Sequence, residues 1–216
     1  MSALSKSNQL SLFDGAILRK AVLESVRKLN PVLFDRWGEV LGATPDGVLW
    51  LAASNGPAVK NLRREALARG IEAGRLFIAP RVMDQVGYLA RYAQADIAVD
   101  TYPYGSHITA LNILWAGCPL LALSGQSTAS RSCGSILAAA GLADLVLPGL
   151  AAYRDAMLNL AQDAAARHAL REPVREPRRT PGLFDPIALV RRLEATYALM
   201  LDRAVSARAP IALEVA

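Results

Sequence analysis

The stretch IAVDTYPYGSHITALNILWAGCPLLAL, residues 97–123, decides the fold of this chain. It contains an apolar strand over 97–101, a loop, an amphipathic helix over 109–117 and a second apolar strand over 120–123. A strand, a helix and a strand of these lengths form a βαβ unit, which places the two strands parallel in one sheet. The 30 residues that follow Asp100 include no Asp, Glu, Lys or Arg, so we expect this unit at the desolvated centre of the fold.

The same alternation of short apolar runs and helix-length segments continues on both sides of this unit. Strands made of nearly unbroken apolar residues are typical of a sheet whose two faces are both covered by helices. The sequence therefore predicts an α/β fold, a Rossmann-like doubly wound parallel sheet. Further strands are predicted over 48–54, 75–79 and 145–147, and further helices over 57–69, 82–94, 129–142 and 186–203.

Composition excludes several classes of protein. Of the 216 residues, 53% are hydrophobic and 20% are charged, and there are 15 Gly and 12 Pro, which excludes a disordered or collagen-like chain. Two cysteines and two histidines are too few for a disulfide framework or a structural zinc site, so we expect reduced, buried thiols. The tryptophans Trp37, Trp50 and Trp115 are predicted to lie in the core.

The positive charge of the chain does not indicate a nucleic-acid-binding protein. The formal charge of +5 comes from 20 arginines and 4 lysines scattered among 19 acidic residues, with no block of like charges. The sequence has neither a signal peptide nor the roughly 18 consecutive apolar residues of a membrane span. We therefore expect a cytoplasmic protein that binds neither nucleic acid nor membrane.

The loop after the strand at 97–101 predicts an anion site. Ligands of open parallel sheets bind beyond the carboxyl ends of the strands, where loops lead into helix N-termini. The turn from Gly105 to Thr109 opens a helix, and the unpaired N–H groups at such a point attract phosphate or pyrophosphate. Asn112, one turn further, is placed to reach a sugar hydroxyl. The alternative is structural: Thr109 caps its helix and His107 packs in the turn.

Segments on both sides extend this pattern into a family resemblance. ADIAVDTYPYGSHITALNILWAGCPLLALSGQSTASRSCGSILAAAGLADLV (95–146) is preceded by GVLWLAAS (47–54) and RLFIAP (75–80), and is followed by GLFDPIALVRRLEATYALML (182–201). In this collinear order the chain resembles the C-terminal half of the O-GlcNAc transferases and SPINDLY-type proteins. The resemblance covers about residues 28–201.

The resemblance implies the nucleotide-sugar-binding half of a GT-B glycosyltransferase that modifies protein hydroxyl groups. It implies a UDP-sugar as substrate, with UDP-GlcNAc the first choice, and no cofactor or metal. It gives Lys28 a catalytic role, the stabilisation of the leaving diphosphate. The other implied donor contacts are Ala79 and Arg81 at the nucleoside, Tyr88 and Arg91 at the stacking position, His107, Ile108 and Thr109 in the diphosphate turn, and Asn112 at the ribose.

The sequence departs from the family's pattern at several of these positions. Ile108 lacks a hydroxyl group that the family has, Asn112 replaces an aspartate, and Tyr88 replaces a histidine. Main-chain N–H groups survive the first change, an amide still hydrogen-bonds a hydroxyl, and tyrosine keeps a face for stacking. The segment ILRKAVLESVRK (17–28) has a helical pattern where the family has a strand.

Each proposed contact also has a purely structural alternative. Lys28 follows Arg27 and fits a solvated surface lysine. Tyr88 fits a core aromatic residue on its helix, and Arg91 fits an ion pair with Asp96. The residues alone leave both interpretations open.

The sequence predicts three parts. Residues 1–30 form a helical appendage, with a degenerate first strand as the alternative, residues 31–203 form the Rossmann-like UDP-sugar-binding domain, and residues 204–216 form a flexible tail. Three prolines within 173–181 predict a surface connection before the last helix.

Transfer by such a fold requires two domains that close over the donor. The first hypothesis is therefore a donor-binding half that works with a separate N-terminal glycosyltransferase half, so that the isolated chain is inactive. The alternative is a non-catalytic remnant or assembly module that associates with itself. The expected small-molecule partner is in both cases a nucleotide sugar.

Overall fold

The computed structural model has an α/β fold in which helices pack against one parallel sheet. The strands and helices described below all lie within the residues that the structure describes. Those residues are 21–23, 28–52, 55–79, 82–175, 183–211 and 213.

Six parallel strands form the sheet in the order β3-β2-β1-β4-β5-β6. This is the Rossmann order, in which two βαβ halves run outward from the central pair β1 and β4. The strands are β1 (Ala21–Leu23), β2 (Leu49–Ala52), β3 (Leu76–Ala79), β4 (Ile97–Val99), β5 (Leu120–Leu123) and β6 (Val146–Leu147). The prediction of a doubly wound parallel sheet is confirmed.

Eight α-helices accompany the strands in the described residues. Six of them begin at a side chain that accepts a main-chain N–H of the first turn, which fixes where each helix starts. The helices are α1 (Pro31–Gly42), α2 (Gly56–Ala68), α3 (Gln85–Ala93), α4 (Ile108–Trp115), α5 (Thr128–Ala139), α6 (Leu150–Gln162), α7 (Ala164–Arg175) and α8 (Pro186–Val205). The capping residues are Asn30, Asn55, Asp84, Ser127, Asp163 and Asp185.

The helical pattern predicted over 17–28 is wrong at β1. Ala21 lies opposite both Leu49 of β2 and Ile97 of β4, so β1 is hydrogen-bonded on both sides at the centre of the sheet. Three residues are too few for a period of two to appear in a sequence. Pairing with two neighbouring strands overrides the local helical preference.

The core lies on both faces of the sheet. Its fully covered residues include Leu114, Leu120 and Leu121 from the charge-free stretch, which confirms that this stretch is central. Trp37 and Trp50 are buried as predicted. Trp115 is not, because it is 44% exposed and packs edge-on against Phe184, with ring centroids 5.1 Å apart.

The chain after β6 differs from the predicted surface connection. Helix α7 continues through Pro173 to Arg175, and Val174 is completely buried. The side chain of Arg167 on α7 donates to the carbonyl oxygens of Leu160 and Ala161 at the end of α6, which joins these two helices. The connection therefore begins later than the first proline suggests.

Helix α8 has no buried residue. Its exposed apolar side chains are Ile187, Leu189, Val190, Leu193, Tyr197, Leu199, Met200, Leu201 and Val205. Among the described residues, no helix is both long enough and apolar enough to cross a lipid bilayer.

Candidate functional site

The candidate site lies where the strand order reverses. The connection after β1 leads through α1 to β2, whereas the connection after β4 leads through α4 to β5, so the two halves of the sheet diverge from this pair. Such a point opens a crevice at the carboxyl ends of the two strands. The segment after β1 carries Lys28 and Asn30, and the segment after β4 carries residues 100–107.

Lys28 contacts the turn that follows β4. Its Nζ donates to the carbonyl oxygen of Gly105 at 3.0 Å and lies 4.6 Å from the ring centroid of Tyr104. One N–H of the ammonium group is used in this hydrogen bond, which leaves two for other acceptors. The structure thus brings the predicted lysine to the predicted anion turn, 77 residues away in sequence.

The main-chain N–H groups of this turn divide into two sets. The Ser106 N–H donates to Oδ1 of Asp100 at 2.8 Å, and the Gly105 N–H donates to the carbonyl oxygen of Ala129 at 3.0 Å. The N–H groups of His107 and Ile108 have no acceptor within the described residues. The expectation of unpaired N–H groups in the turn from Gly105 to Thr109 is therefore wrong for Gly105 and Ser106, whose N–H groups are bonded internally.

Helix α4 starts without a capping side chain. Its N-cap residue is His107, whose side chain makes no capping hydrogen bond, and Thr109 is already the second residue of the helix. The alternative in which Thr109 caps the helix is therefore wrong. The first helical residue, Ile108, is 73% exposed, so α4 begins at the protein surface. An open, uncapped N-terminus carries partial positive charge, which favours an anion.

Asp100 lies behind the turn and is 2% exposed. Burial raises the pKa of its carboxyl group above the ordinary value of 3.8. Its main chain is held by two further bonds: its N–H donates to the carbonyl oxygen of Leu121, and its own carbonyl oxygen accepts from the hydroxyl of Tyr153 at 2.8 Å. These two bonds fix the backbone from which the carboxyl group reaches the turn.

Asn30 joins the segments after β1 and β4. Its Oδ1 accepts the N–H of Leu33 and caps α1, while its Nδ2 donates to the carbonyl oxygen of Tyr102. Asn30 is not among the site residues predicted from the sequence. The Asn-Pro pair at 30–31 is a signal for the cap, because proline is favoured in the first turn of a helix, but it gives no signal for the bond to Tyr102.

The remaining predicted residues lie on neighbouring elements. Ala79 is the last residue of β3, at the edge of the sheet, and Asn112 is half-buried one turn into α4. Helix α3 packs against α4 and carries Tyr88 and Arg91. Arg81 lies outside the described residues.

The Tyr88 ring already has neighbours on α3. Its hydroxyl lies 2.8 Å from the hydroxyl of Tyr92, and the guanidinium carbon of Arg91 lies 5.0 Å from its ring centroid. Tyr88 is half-buried against the core, so both the stacking role and the structural role remain predictions. Asp96 makes ion pairs at 4.0 Å with Arg167 and Arg171.

In the described residues a metal-binding cluster is absent, and a surface concavity lies away from the crevice. No group of three or more His, Cys, Asp or Glu side chains in the described part of the chain is arranged to hold a metal ion. A concavity of about 620 Å³ lies at the junction of α6 and α7. There Gln162 reaches the carbonyl oxygen of Ala43, which precedes β2, so this concavity lies near the amino ends of the strands and away from Lys28.

Comparison with known proteins identifies the relatives of this chain. The profile of glycosyl transferase family 41 matches residues 2–193. The probable UDP-N-acetylglucosamine–peptide N-acetylglucosaminyltransferase SEC of Arabidopsis thaliana is 28% identical over 191 residues, covering 88% of this chain and 19% of that protein. The probable SPINDLY transferase of Hordeum vulgare is 27% identical over 183 residues, covering 83% of this chain and 19% of its own length. The chain spans about a fifth of the length of these relatives.

A solved structure shows the same architecture. A lysine-to-methionine mutant of the Thermobaculum terrenum O-GlcNAc transferase superposes with a TM-score of 0.79 at 30% identity. The match covers 87% of this chain and 37% of that chain. The fold is therefore the Rossmann-like C-terminal half of a GT-B glycosyltransferase.

Proposed function

We propose that this chain, which belongs to glycosyl transferase family 41, binds the diphosphate of a UDP-sugar at the carboxyl ends of β1 and β4. The observation that carries this proposal is the placement of Lys28 against the uncapped start of α4. In this proposal the Lys28 ammonium group and the N–H groups of His107 and Ile108 bind the same diphosphate. Together they offer the charge and the hydrogen bonds that a diphosphate requires.

The same groups suit the chemistry of sugar transfer. As the bond between sugar and phosphate breaks, negative charge develops on the leaving UDP, and fixed donors aimed at that charge lower the barrier. Lys28 keeps two ammonium N–H groups for phosphate oxygens while its third stays on Gly105. In this proposal the lysine and the helix N-terminus supply the positive charge, so no metal is required.

The remaining contacts follow the family pattern and are part of the proposal. Asn112 is proposed to bind a ribose hydroxyl, since it lies one turn after the diphosphate turn on the same helix. Ala79 and Tyr88 are proposed to contact the base, with Arg81 and Arg91 beside the nucleoside. UDP-GlcNAc is the first candidate donor, because the SEC and SPINDLY relatives are named as probable UDP-N-acetylglucosamine–peptide N-acetylglucosaminyltransferases.

Turnover is proposed to require a second, amino-terminal half that closes over the donor. The chain corresponds to 37% of the O-GlcNAc transferase chain with which it superposes. The exposed apolar face of α8 offers a surface on which such a half can pack. We therefore expect the 216-residue chain to bind donor but not to transfer sugar unaided.

Calorimetric titration with UDP tests the binding proposal. Wild-type protein is expected to show saturable heat, and Lys28→Ala is expected to weaken binding by about 1.5–3 kcal/mol, the range for a lost charge-assisted hydrogen bond. Lys60→Ala removes the same charge from the exposed face of α2 and serves as the control. If wild-type protein gives no saturable heat at millimolar UDP, the proposal is wrong.

Titrations with other nucleotides identify the donor class. Titrations with UDP-GlcNAc and GDP-fucose, run beside UDP, separate recognition of the uracil base from recognition of the diphosphate alone. We expect both uridine nucleotides to bind more tightly than GDP-fucose. Equal affinities would leave the diphosphate site intact and remove the proposed base contacts of Ala79 and Tyr88.

The exposed face of α8 also favours a second function, assembly without catalysis. Nine large apolar side chains on one helix without a buried residue are an unusual surface for a chain that remains monomeric. Light scattering across a concentration series tests this function. Self-association that Leu193→Glu abolishes supports it, and a strictly monomeric species contradicts it.

A further inference from the structure

One peptide group connects a buried carboxyl group to the lysine of the site. The peptide between Gly105 and Ser106 donates its N–H to Oδ1 of Asp100 at 2.8 Å and accepts Lys28 Nζ on its carbonyl oxygen at 3.0 Å. We infer that Asp100 is a positioning residue for Lys28 and acts through this peptide group, an inference that rests on the proposed role of Lys28 in binding diphosphate.

The geometry of a peptide group makes this connection rigid. The N–H and C=O of a trans peptide point in opposite directions from one plane, so fixing one of them fixes the other. With its N–H held by Asp100, the peptide turns its carbonyl oxygen toward Lys28. If the plane rotated by half a turn, the carbonyl would face the carboxyl group and Lys28 would lose its acceptor.

Asp100 is anchored more firmly than the turn that it holds. Its main chain belongs to the end of the central sheet through the bond to Leu121, and the buried Tyr153 hydroxyl donates to its carbonyl oxygen. The side chain is 2% exposed, which leaves it no alternative partner in water. A buried acceptor of this kind holds its donor strongly, because an unmade bond would leave both groups unsatisfied.

Gly105 shows how closely the turn rests on the carboxyl group. A Cβ added to this glycine would lie 2.9 Å from Oδ2 of Asp100 and 3.3 Å from the carbonyl oxygen of Ala129. Any larger residue must therefore lift the peptide away from Asp100. The contact requires glycine for space rather than for backbone conformation.

The consequence for binding is a lysine that is in place before the nucleotide arrives. A free lysine side chain loses much rotamer freedom when it binds phosphate, and a side chain that is already held loses less. Asp100 touches neither Lys28 nor the proposed diphosphate position. Its effect on affinity must therefore pass through the Gly105–Ser106 peptide and disappear when Lys28 is absent.

A double-mutant cycle measures this dependence. Asp100→Leu removes the acceptor while filling the buried volume, and Asp100→Asn keeps an oxygen for the Ser106 N–H. UDP affinity is expected to fall about tenfold in Asp100→Leu and about twofold or less in Asp100→Asn. In the Lys28→Ala background, Asp100→Leu is expected to cause no further loss. Asp163→Leu, which removes a carboxylate that accepts two main-chain N–H groups at the start of α7, is the control and should leave affinity unchanged.

Hydrogen exchange gives a readout that does not depend on nucleotide. The Ser106 N–H is expected to exchange faster in Asp100→Leu than in wild type, with Asp100→Asn close to wild type. An equal loss of UDP affinity with and without Lys28, or unchanged affinity and unchanged Ser106 exchange in Asp100→Leu, would overturn the inference. If Asp100→Leu does not fold, Gly105→Ala replaces it in the same cycle, with the same expected results. Absence of UDP binding by wild-type protein rejects the proposed function, whereas the exchange result still tests the contact.

Discussion

The side chains of Tyr104 and His107 lie parallel at the mouth of the sheet, with ring centroids 5.6 Å apart and ring planes 5° apart. Tyr104 is 51% exposed, and Lys28 Nζ lies 4.6 Å from the centroid of the same ring. One aromatic side chain therefore contacts both the lysine and the N-cap residue of α4. Because the Tyr104 ring is exposed, it contributes to these two contacts and not to the hydrophobic core.

Replacing Tyr104 tests whether its ring supports the lysine. Tyr104→Leu removes the aromatic face and is expected to weaken UDP binding about two- to fivefold, the effect of one exposed cation–π contact. Tyr104→Phe keeps the face and is expected to bind like wild type. Calorimetry on the two variants measures the difference. Equal weakening in both would assign the effect to the hydroxyl and contradict the role of the ring.

Asn30 combines a helix cap with a bond across the site, and two substitutions separate these roles. Serine caps helices as well as asparagine does but is too short to reach the carbonyl oxygen of Tyr102, whereas alanine does neither. Asn30→Ala is expected to be about 1 kcal/mol less stable than Asn30→Ser in urea denaturation. Both variants are expected to lose UDP affinity to the same extent. If Asn30→Ser binds like wild type, the bond to Tyr102 has no part in binding.

The sequence predicts most of the sheet because most strands are defined locally. Strand β5 lies at the predicted residues, Leu120–Leu123, since four buried apolar residues between a glycine-containing turn and a polar loop leave no other interpretation. Strand β1 is equally apolar but only three residues long, and its identity depends on pairing with β2 and β4. Such a pairing joins residues far apart in the chain, so no local pattern reveals it.

The residues of the site likewise divide into those that a sequence pattern predicts and those whose contacts depend on the folded chain. The turn at Gly105–Thr109 is recognisable from residue types at fixed spacing, and Lys28 from the family resemblance. The bonds of Asp100 and Asn30 to that turn depend on which carbonyl and N–H groups the folded chain brings together. Asp100 is the one charged residue of the predicted strand 97–101, and the local sequence gives no indication that it faces inward.

The raised pKa of Asp100 makes stability depend on pH in a defined direction. Between the ordinary pKa of 3.8 and the higher value in the folded protein, the unfolded carboxyl group is ionised and the folded one is protonated. The unfolded state then binds fewer protons, so the free energy of unfolding falls as the pH rises through this window. Asp100→Asn does not titrate. In urea denaturation we therefore expect its stability relative to wild type to increase as the pH rises above 3.8, and to level off once the folded carboxyl group is ionised.

Comparing wild type with Asp100→Asn removes the contribution of the other titratable groups to the pH dependence of stability. Every other carboxyl group contributes equally to wild type and Asp100→Asn, so the difference between their unfolding free energies reports Asp100 alone. A constant difference between Asp100→Asn and wild type across the range would contradict an elevated pKa.

The two thiols report unfolding, as their burial predicts. Cys118 and Cys133 are free and completely buried, which confirms the expected reduced, buried thiols. Burial raises the pKa of Cys118 to about 12 and that of Cys133 also well above its ordinary value.

Since the thiolate is the reactive form, neither thiol of the folded protein should react with a disulfide reagent at pH 8, and both should react in urea. An added cysteine at the exposed Lys60, Lys60→Cys, is the control and should react at once. Because only the unfolded thiols ionise as the pH rises above about 9.0, alkaline pH should also lower stability. Rapid labelling of one thiol in native wild-type protein at pH 8 would show that its site opens without global unfolding.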